Sequence, residues 1–329
     1  MALEALRSYD VAPQRVRLAA ESFNSIFRVT TASAVYALRV GSAWQIHPPQ
    51  TAAVEAAWHR RLRQQGMHVP GVLPNVDGEA TTLVTDGQAL PRTCVLFDWV
   101  AGRPLRACMT TGRAAALGWL SARLHQDAAA WSPQGAGDVL RADQVLYWQA
   151  PERLAMAGQR FGYGTLFTDA AARAQPALDW LWRNPPHPPH LVHGDLTPPN
   201  VIVSPRSGLV PIDFQDMVLG FDVQDVSFTV ASLRRRPDGD QLAGAFRSGY
   251  SECRPWPDAS PALFEALIAA RGLHLMNLVM NNHDLTGLES YVAGHADRIR
   301  TWMAVPPLPS SAAFAYDVSE PGTSHPDPP

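Results

Sequence analysis

Apolar positions in the first hundred residues fall in short runs separated by turn residues. Phe27-Arg28-Val29 and Val35-Tyr36-Ala37-Leu38-Arg39-Val40 are β-prone, and residues 30–34 between them read as a turn, which predicts a hairpin. The period then changes. Val54, Ala57, Trp58 and Leu62 recur at helical intervals between Thr51 and Gln65, and Gly66 closes the run. Residues 81–85 and 92–100 read again as strands. Beyond residue 100 the pattern is mostly helical. Ala116, Leu117, Leu120 and Leu124 mark a helix over 112–131. Another is expected over 173–182, stopped by Asn184-Pro185-Pro186-His187-Pro188-Pro189. Two short apolar runs follow at 191–192 and 201–203, then helices over 222–233 and from 261 through 303. From 305 onward Pro, Ser, Gly and Asp dominate, a composition that buries no core and predicts disorder. The pattern therefore predicts an α+β chain of two lobes, a small β-rich one over 1–100 and a larger helical one over 101–305. A Pro-rich tail occupies 306–329.

Composition narrows the function. A hydrophobic content of 46% with 17% charged residues is that of a chain with a real core. No run approaches the roughly 20 apolar residues of a bilayer-spanning helix, so no membrane partner is expected. The N-terminus lacks a basic start followed by an apolar run, which makes the cytoplasm the default location. A net charge of −3 provides no basic field for nucleic acid. Cys94, Cys108 and Cys253 are scattered and odd in number, which suggests neither a disulfide framework nor a zinc site. All 27 basic residues are arginine. Without lysine, a Walker-type phosphate loop and Schiff-base chemistry are both excluded.

The chemistry concentrates in His190-Leu191-Val192-His193-Gly194-Asp195-Leu196-Thr197-Pro198-Pro199-Asn200-Val201 and in Leu209-Val210-Pro211-Ile212-Asp213-Phe214. Phosphoryl transfer from a nucleotide needs a group that orients the acceptor hydroxyl, metal ions on the phosphates and a cation to hold the phosphate tail. Asp195 lies on a loop after a short strand, Asn200 closes that loop, and Asp213 ends the next apolar run. Carboxylates and an amide suit Mg²⁺, a hard cation. Singly, Asp195 and Asn200 read as turn residues. The ordered set matches a kinase catalytic loop followed by its metal-binding Asp-Phe pair.

His-Gly-Asp, then Asn, then Ile-Asp-Phe resembles the aminoglycoside phosphotransferase and choline-kinase-like family. The resemblance implies a bilobal protein-kinase-like fold, ATP or GTP as donor with Mg²⁺, and a hydroxyl acceptor. It implies that Asp195 is the catalytic base or orients the acceptor, with His193 bracing the loop, and that Asn200 and Asp213 are metal ligands. Thr197-Pro198-Pro199 departs from the His-Pro-Gly of many relatives and leaves the loop's shape open.

The same resemblance assigns the nucleotide clamp. Asn24 and Ser25 occupy the place of the phosphate-covering loop, although these residues read equally well as an ordinary hairpin turn. Arg39 stands where kinases carry a strand lysine, with Glu55 on the following helix as its partner. Phe97, Asp98, Trp99 and Val100 resemble the hinge whose backbone binds adenine. Asp225 is expected to cap a helix and brace the catalytic loop, with His125 a packed structural histidine, and Asp216 reads as a loop acid or a residue near the metal.

The acceptor is less legible. Acidic and arginine residues are interspersed over 254–300, which does not describe a polycation site. Arg271, His274, Asn277 and Asn281 recur at helical spacing, consistent with an acceptor cleft or, more simply, with core packing. The region 262–303 resembles the homoserine-kinase and stress-response-kinase branch. The ranking is a small hydroxylated metabolite first, then a protein Ser/Thr acceptor, then an antibiotic. A nucleotide-binding scaffold without turnover is the alternative class. The oligomeric state is left open.

Overall fold

The hairpin expected at residues 27–40 lies at the centre of an antiparallel sheet. The computed structural model describes residues 1–42, 44–85, 90–133, 135–281, 287–306 and Phe314. A short helix α1 (Ala2–Leu6) precedes β1 (Arg15–Glu21), β2 (Ser25–Thr30) and β3 (Val35–Val40); α2 (Thr51–Gln64) follows, then β4 (Val72–Leu73), β5 (Thr82–Val84) and β6 (Arg92–Asp98). The strand order is β1-β2-β3-β6-β4, with β5 also paired to β6. Leu38, Val40, Val29, Cys94 and Leu96 fill one face of this sheet together with Leu6 of α1. Helix α2 buries Val54, Glu55, Trp58, His59 and Leu62 on one side. That stripe carries a carboxylate and an imidazole inside an otherwise apolar face, where each needs a partner.

The remaining chain begins with β7 (Arg103–Pro104) and α3 (Thr111–Ala129), followed by α4 (Leu154–Arg160), α5 (Leu166–Arg183), β8 (His190–Val192), β9 (Val201–Ser204), β10 (Gly208–Pro211) and β11 (Val218–Gly220). Helices α6 (Asp222–Arg234), α7 (Gly239–Ser251), α8 (Pro261–Asn281) and α9 (Leu288–Ala304) complete it. Two small sheets, β10-β9-β7 and β11-β8, hold the loops between them. Trp58 and Leu62 of α2 share a core with Leu117, Leu124, Phe214 and Val226, so the helix carrying Glu55 is packed against the catalytic segment. A second core joins α5, α8 and α9 through Leu178, Leu273, Met276 and Val292. Helices α3 and α7 meet at glycines: a Cβ on Gly118 would lie 1.9 Å from the Phe246 carbonyl oxygen.

Several expectations change. The helix expected at 173–182 begins at Leu166, because Phe167, Ala170 and Ala174 continue the buried stripe of Ala177, Leu178 and Leu181 towards the N-terminus. The helical stretch from 261 to 303 is two helices, the second entered from Gly287 at φ 83°. Contrary to the expectation from composition, Pro261–Asn281 is long and apolar enough to cross a membrane by length and composition alone. Its most apolar window is 61% buried inside the protein, and it buries Arg271, His274 and Asn277 as well, as a core helix does. Strand β1 and helices α1, α4 and α7 were not anticipated. The Pro-rich segment expected to be disordered lies, apart from its first residue and Phe314, outside the described residues.

Candidate active site

The register of one hairpin brings the two expected metal ligands together. β9 and β10 pair with Val201 opposite Pro211, and the ladder continues one step as the Ile212 N–H donates to the Asn200 carbonyl at 2.9 Å. Asn200 and Asp213 are thereby held at the same end of the hairpin. Asn200 Nδ2 also reaches back to Asp195 Oδ2 at 2.6 Å and to the Asp195 carbonyl at 3.1 Å. Thr197 Oγ1 donates to Asp195 Oδ1 at 3.3 Å. The Thr-Pro-Pro departure thus preserves the loop: Pro198–Asn200 form a single tight helical turn that returns Asn200 to Asp195. Asp213 has φ 62°, the one positive φ among described non-glycine residues. Such backbone costs of order 1–3 kcal/mol and collects at functional sites.

The loop is fastened from behind. Asp225 Oδ1 accepts the Gly194 N–H at 2.8 Å, and Asp225 Oδ2 faces His125 Nε2 at 3.0 Å. Asp225 therefore braces the catalytic loop as expected, but it does not cap the helix. Helix α6 starts at Asp222, and Gln224 Oε1 accepts the Phe221 N–H there. His193 is fully buried, with Nε2 donating to the Ile212 carbonyl at 3.2 Å and Nδ1 accepting the Asp195 N–H at 3.3 Å. Burial lowers its pKa, so the ring is neutral and both nitrogens are used in bracing. His193 thus ties the Asp195 turn to the Ile212 backbone.

Across the cleft, Arg39 and Glu55 form a buried two-pronged ion pair, Nη1–Oε1 2.8 Å and Nη2–Oε2 2.5 Å. Arg39 Nη1 also lies 3.6 Å from Asp213 Oδ1. One guanidinium thus links β3, α2 and the Asp213 segment, which is what coupling helix position to phosphate binding requires. Asn24 reaches over as well: its Nδ2 donates to Gln215 Oε1 at 2.9 Å, while Ser25 Oγ bonds Glu21 on its own hairpin at 3.3 Å. The hinge reading is narrowed. The Asp98 N–H donates to the Gly71 carbonyl at 2.8 Å and the Trp99 N–H to the Val35 carbonyl at 3.1 Å, so neither amide is free for adenine. The Asp98 carboxylate takes Arg63 Nη1 at 2.9 Å and the Gly71 N–H at 3.1 Å. Phe97 is buried in the sheet, with Arg39 over its ring, and Val100 is half-buried just beyond it.

The donor set fits a hard divalent cation. Burial and then the Asp216 charge push Asp195 up to about 8. Three carboxylates sharing one low-dielectric cleft are short of positive charge, and oxygen donors of this kind suit Mg²⁺. Asp213, with 45% of its side chain exposed, opens towards the cleft.

His47 carried no sequence signal, whereas Asp216 and Arg271 were both noted in the sequence and are brought together with it by the fold. His47 Nε2 lies 3.2 Å from Asp216 Oδ1, and Arg271 Nη2 lies 3.3 Å from Asp216 Oδ2. Burial would raise Asp216, but His47 and Arg271 outweigh it and hold the acid at about 2. Arg271 Nη2 also donates to the Gly194 carbonyl at 2.8 Å and Nη1 to Tyr147 at 2.6 Å. Of the four polar residues noted along α8, only Arg271 reaches the catalytic loop. His274 Nδ1 donates to the Val145 carbonyl at 3.1 Å, and Asn277 and Asn281 donate to the Pro151 carbonyl. Those three follow the core-packing reading.

A sequence model of the phosphotransferase enzyme family matches residues 15–261. No curated protein matches the chain. Among solved structures, a microcompartment-associated aminopropanol kinase is similar over 92% of this chain and 97% of its own, with 24% identity and TM-score 0.68. An amicoumacin kinase in complex with AMP-PNP and Ca²⁺ is similar over 93% of each chain, with 19% identity and TM-score 0.70. A spectinomycin phosphotransferase in complex with ADP and spectinomycin covers 92% of this chain and 98% of its own, with 12% identity and TM-score 0.59. These likenesses concern the fold, which is the kinase-like arrangement expected from the motifs. The family match spans both the Arg39–Glu55 pair and the Asp195, Asn200 and Asp213 loops, and the chain belongs to the phosphotransferase enzyme family.

Proposed function

We propose that this chain transfers the γ-phosphoryl group of ATP to a hydroxyl of a small molecule, with Asp195 orienting that hydroxyl and taking its proton. The acceptor oxygen forms a bond to the γ-phosphorus as the bond to the β–γ bridging oxygen breaks, and ADP leaves. Asn200 and Asp213 are the residues that would hold Mg²⁺, which supplies charge neutralisation on the phosphates when bound. Arg39, kept in place by Glu55, faces the same phosphates. The observation that carries this reading is the juxtaposition of Asp195, Asn200 and Asp213 with an Arg39 that touches both Glu55 and Asp213. The similar solved structures, named for aminopropanol, amicoumacin and spectinomycin, support a small-molecule acceptor.

The test is Mg²⁺-dependent binding of ATP, followed by ADP release with pooled small hydroxylated acceptors. Asp195→Asn is expected to keep nucleotide binding and to lose at least about 100-fold in turnover, the scale of removing a positioned general base. Turnover that survives Asp195→Asn unchanged would remove Asp195 from the reaction.

A further inference from the structure

The Pro-rich stop between α5 and β8 has a histidine at its centre, and the fold brings it to a second histidine and an acid behind the catalytic loop. His187 stands in Asn184-Pro185-Pro186-His187-Pro188-Pro189, where prolines fix the backbone on both sides. His190 opens β8, and the register of β8 with β11 pairs it with Gly220, two residues before Asp222, which opens α6. Among the described residues, His187, His190 and Asp222 bring one ligand atom each to within 4.8 Å of one another. None of the three belongs to the Asp195, Asn200 and Asp213 set. The two imidazole rings are stacked, with centroids 5.0 Å apart and planes 15° apart.

Hydrogen bonding gives both rings the same proton. His187 Nδ1 donates to the Pro188 carbonyl at 2.8 Å, and His190 Nδ1 donates to the Leu191 carbonyl at 2.9 Å. A carbonyl only accepts, so each Nδ1 carries a proton and each neutral ring offers a lone pair at Nε2. Burial lowers the pKa of His187, which favours that neutral form. His190 Nε2 lies 2.8 Å from Asp222 Oδ1, and His187 Nε2 lies 3.8 Å from Asp222 Oδ2. His190 Nε2 and Asp222 Oδ1 are both buried, and neither is aligned for a hydrogen bond. The other carboxylate oxygen is held: Arg254 Nε donates to Oδ2 at 2.7 Å and the Tyr250 hydroxyl donates to it at 3.2 Å. Two nitrogen lone pairs and one carboxylate oxygen then converge without a donor among them. Imidazoles anchored through Nδ1 to backbone carbonyls, and a carboxylate anchored through its second oxygen, are the outer partners that metal ligands have.

We infer that His187, His190 and Asp222 form a second metal site, for a divalent transition ion of the zinc class. Zinc binds imidazole nitrogen and carboxylate oxygen at about 2.0–2.2 Å, which sets tetrahedral ligands about 3.3 Å apart. The closest pair here is at 2.8 Å and all three atoms lie within 4.8 Å, so small side-chain rotations enclose the ion. Water completes the coordination from the side of His187, whose side chain is 25% exposed. Mg²⁺ is a poor fit, because it prefers oxygen, whereas imidazole suits zinc, nickel and copper. The Arg254 charge beside Asp222 opposes any cation, so only an ion bound strongly by imidazole is held. The ion ties the start of β8 to the start of α6. β8 runs into His193, and α6 carries the Asp225 that holds Gly194, so its role is to stiffen the base of the catalytic loop.

The experiment uses the full chain, depleted of metal and held in excess Mg²⁺, which competes for the oxygen ligands of the cleft. Zn²⁺ is titrated by calorimetry, and Co²⁺ is added separately because its visible absorption reports tetrahedral coordination. One equivalent of Zn²⁺ is expected per chain, with the melting temperature raised by several degrees, since an ion that binds only the folded chain stabilises it. His187→Ala, on a part-exposed loop, should weaken Zn²⁺ binding at least about tenfold and lose the Co²⁺ spectrum, while the metal-free melting temperature stays close to native. Asp213→Asn should leave Zn²⁺ binding unchanged. Absence of a Zn²⁺ equivalent in excess Mg²⁺, the result if His190 is instead a protonated partner of Asp222, would overturn the proposal. So would Zn²⁺ binding that survives His187→Ala, or that is lost in Asp213→Asn. Failure of the phosphotransferase reading shows separately, as absence of Mg²⁺-dependent AMP-PNP binding.

Discussion

Gly194 donates its backbone N–H to Asp225 at 2.8 Å, so the turn that carries Asp195 is anchored to the first turn of α6. The opposite side of the same residue is held too, because Arg271 takes the Gly194 carbonyl at 2.8 Å. Both partners are buried charges, and charge-assisted bonds of this kind are stronger than neutral ones. The Asp195 carboxylate is thereby placed by α6 and α8 at once, before any substrate arrives.

Gly194→Ala should disable the site. Gly194 has φ 76°, and a Cβ there would lie 2.1 Å from the Asp216 carbonyl oxygen, which is backbone and cannot swing away. The left-handed conformation costs a side chain about 1 kcal/mol, and the overlap forces a shift of the loop beyond that. We expect turnover to fall by at least about tenfold and the melting temperature by several degrees, of the order set by a 1–3 kcal/mol loss. Steady-state kinetics with ATP and thermal melting measure both. A variant with native turnover would show that the turn relaxes freely.

Arg39→Ala should cost stability as well as nucleotide binding. It leaves Glu55, only 1% exposed, as a buried carboxylate without its guanidinium. Breaking such a pair from one side typically costs about 3–5 kcal/mol. Arg39→Ala/Glu55→Leu should recover much of the melting temperature and none of the ATP affinity. The KM for ATP should rise far more than that for the acceptor. An unchanged ATP dependence in a folded Arg39→Ala variant would take Arg39 out of the site.

Stability without ligand should depend on pH through two opposed sets of groups. Burial lowers the pKa of His59, His193 and His274, and takes His295 to about 3 with the help of Arg298 and Arg235. A histidine depressed in the folded state contributes stability that is present above its ordinary pKa of about 6.5 and is lost as pH falls towards the folded value. Asp222 and Asp225 add to the same flank below about pH 4, since histidine partners outweigh burial and hold both acids down. Asp195 works the other way: burial and the Asp216 charge raise it to about 8, so its contribution is present below the ordinary carboxylate pKa of about 4 and is lost as pH rises from there through about 8. Mg²⁺ with AMP-PNP should therefore raise the melting temperature more at alkaline than at mildly acidic pH, because the cation relieves the charge that protons relieve at low pH. Melting curves across this range with and without Mg²⁺–AMP-PNP check the sign of both contributions.

Much of the architecture was legible because its signals are local. Two β-prone runs placed β2 and β3, the helical stripe placed α2 to within a residue at its C-terminal end, and the order Asp195, Asn200, Asp213 marked three side chains that the fold brings to one end of the β9–β10 hairpin. The misses have physical causes. Leu18, on β1, is 48% exposed, and a strand at the sheet edge shows little of the alternation that reveals inner strands. The hinge looked open for adenine because a strand-like run says nothing about which neighbour takes its amides; Gly71 and Val35 take two of them.

By itself the sequence determined the residue types, their order and the periods that curl them into strands and helices, since those depend on neighbours a few positions apart. It also contained the charged residues that the fold gathers at the cleft and, by lacking lysine, left arginine as the only cation available on β3. Only the tertiary structure decided which buried charge answers which. Gly194 lies 31 residues from Asp225 and 77 from Arg271, and Asn24 lies 191 residues from Gln215. No period links such positions. They meet because α2, α6 and α8 bury their apolar faces in shared cores, and the polar groups carried in with them must find partners there.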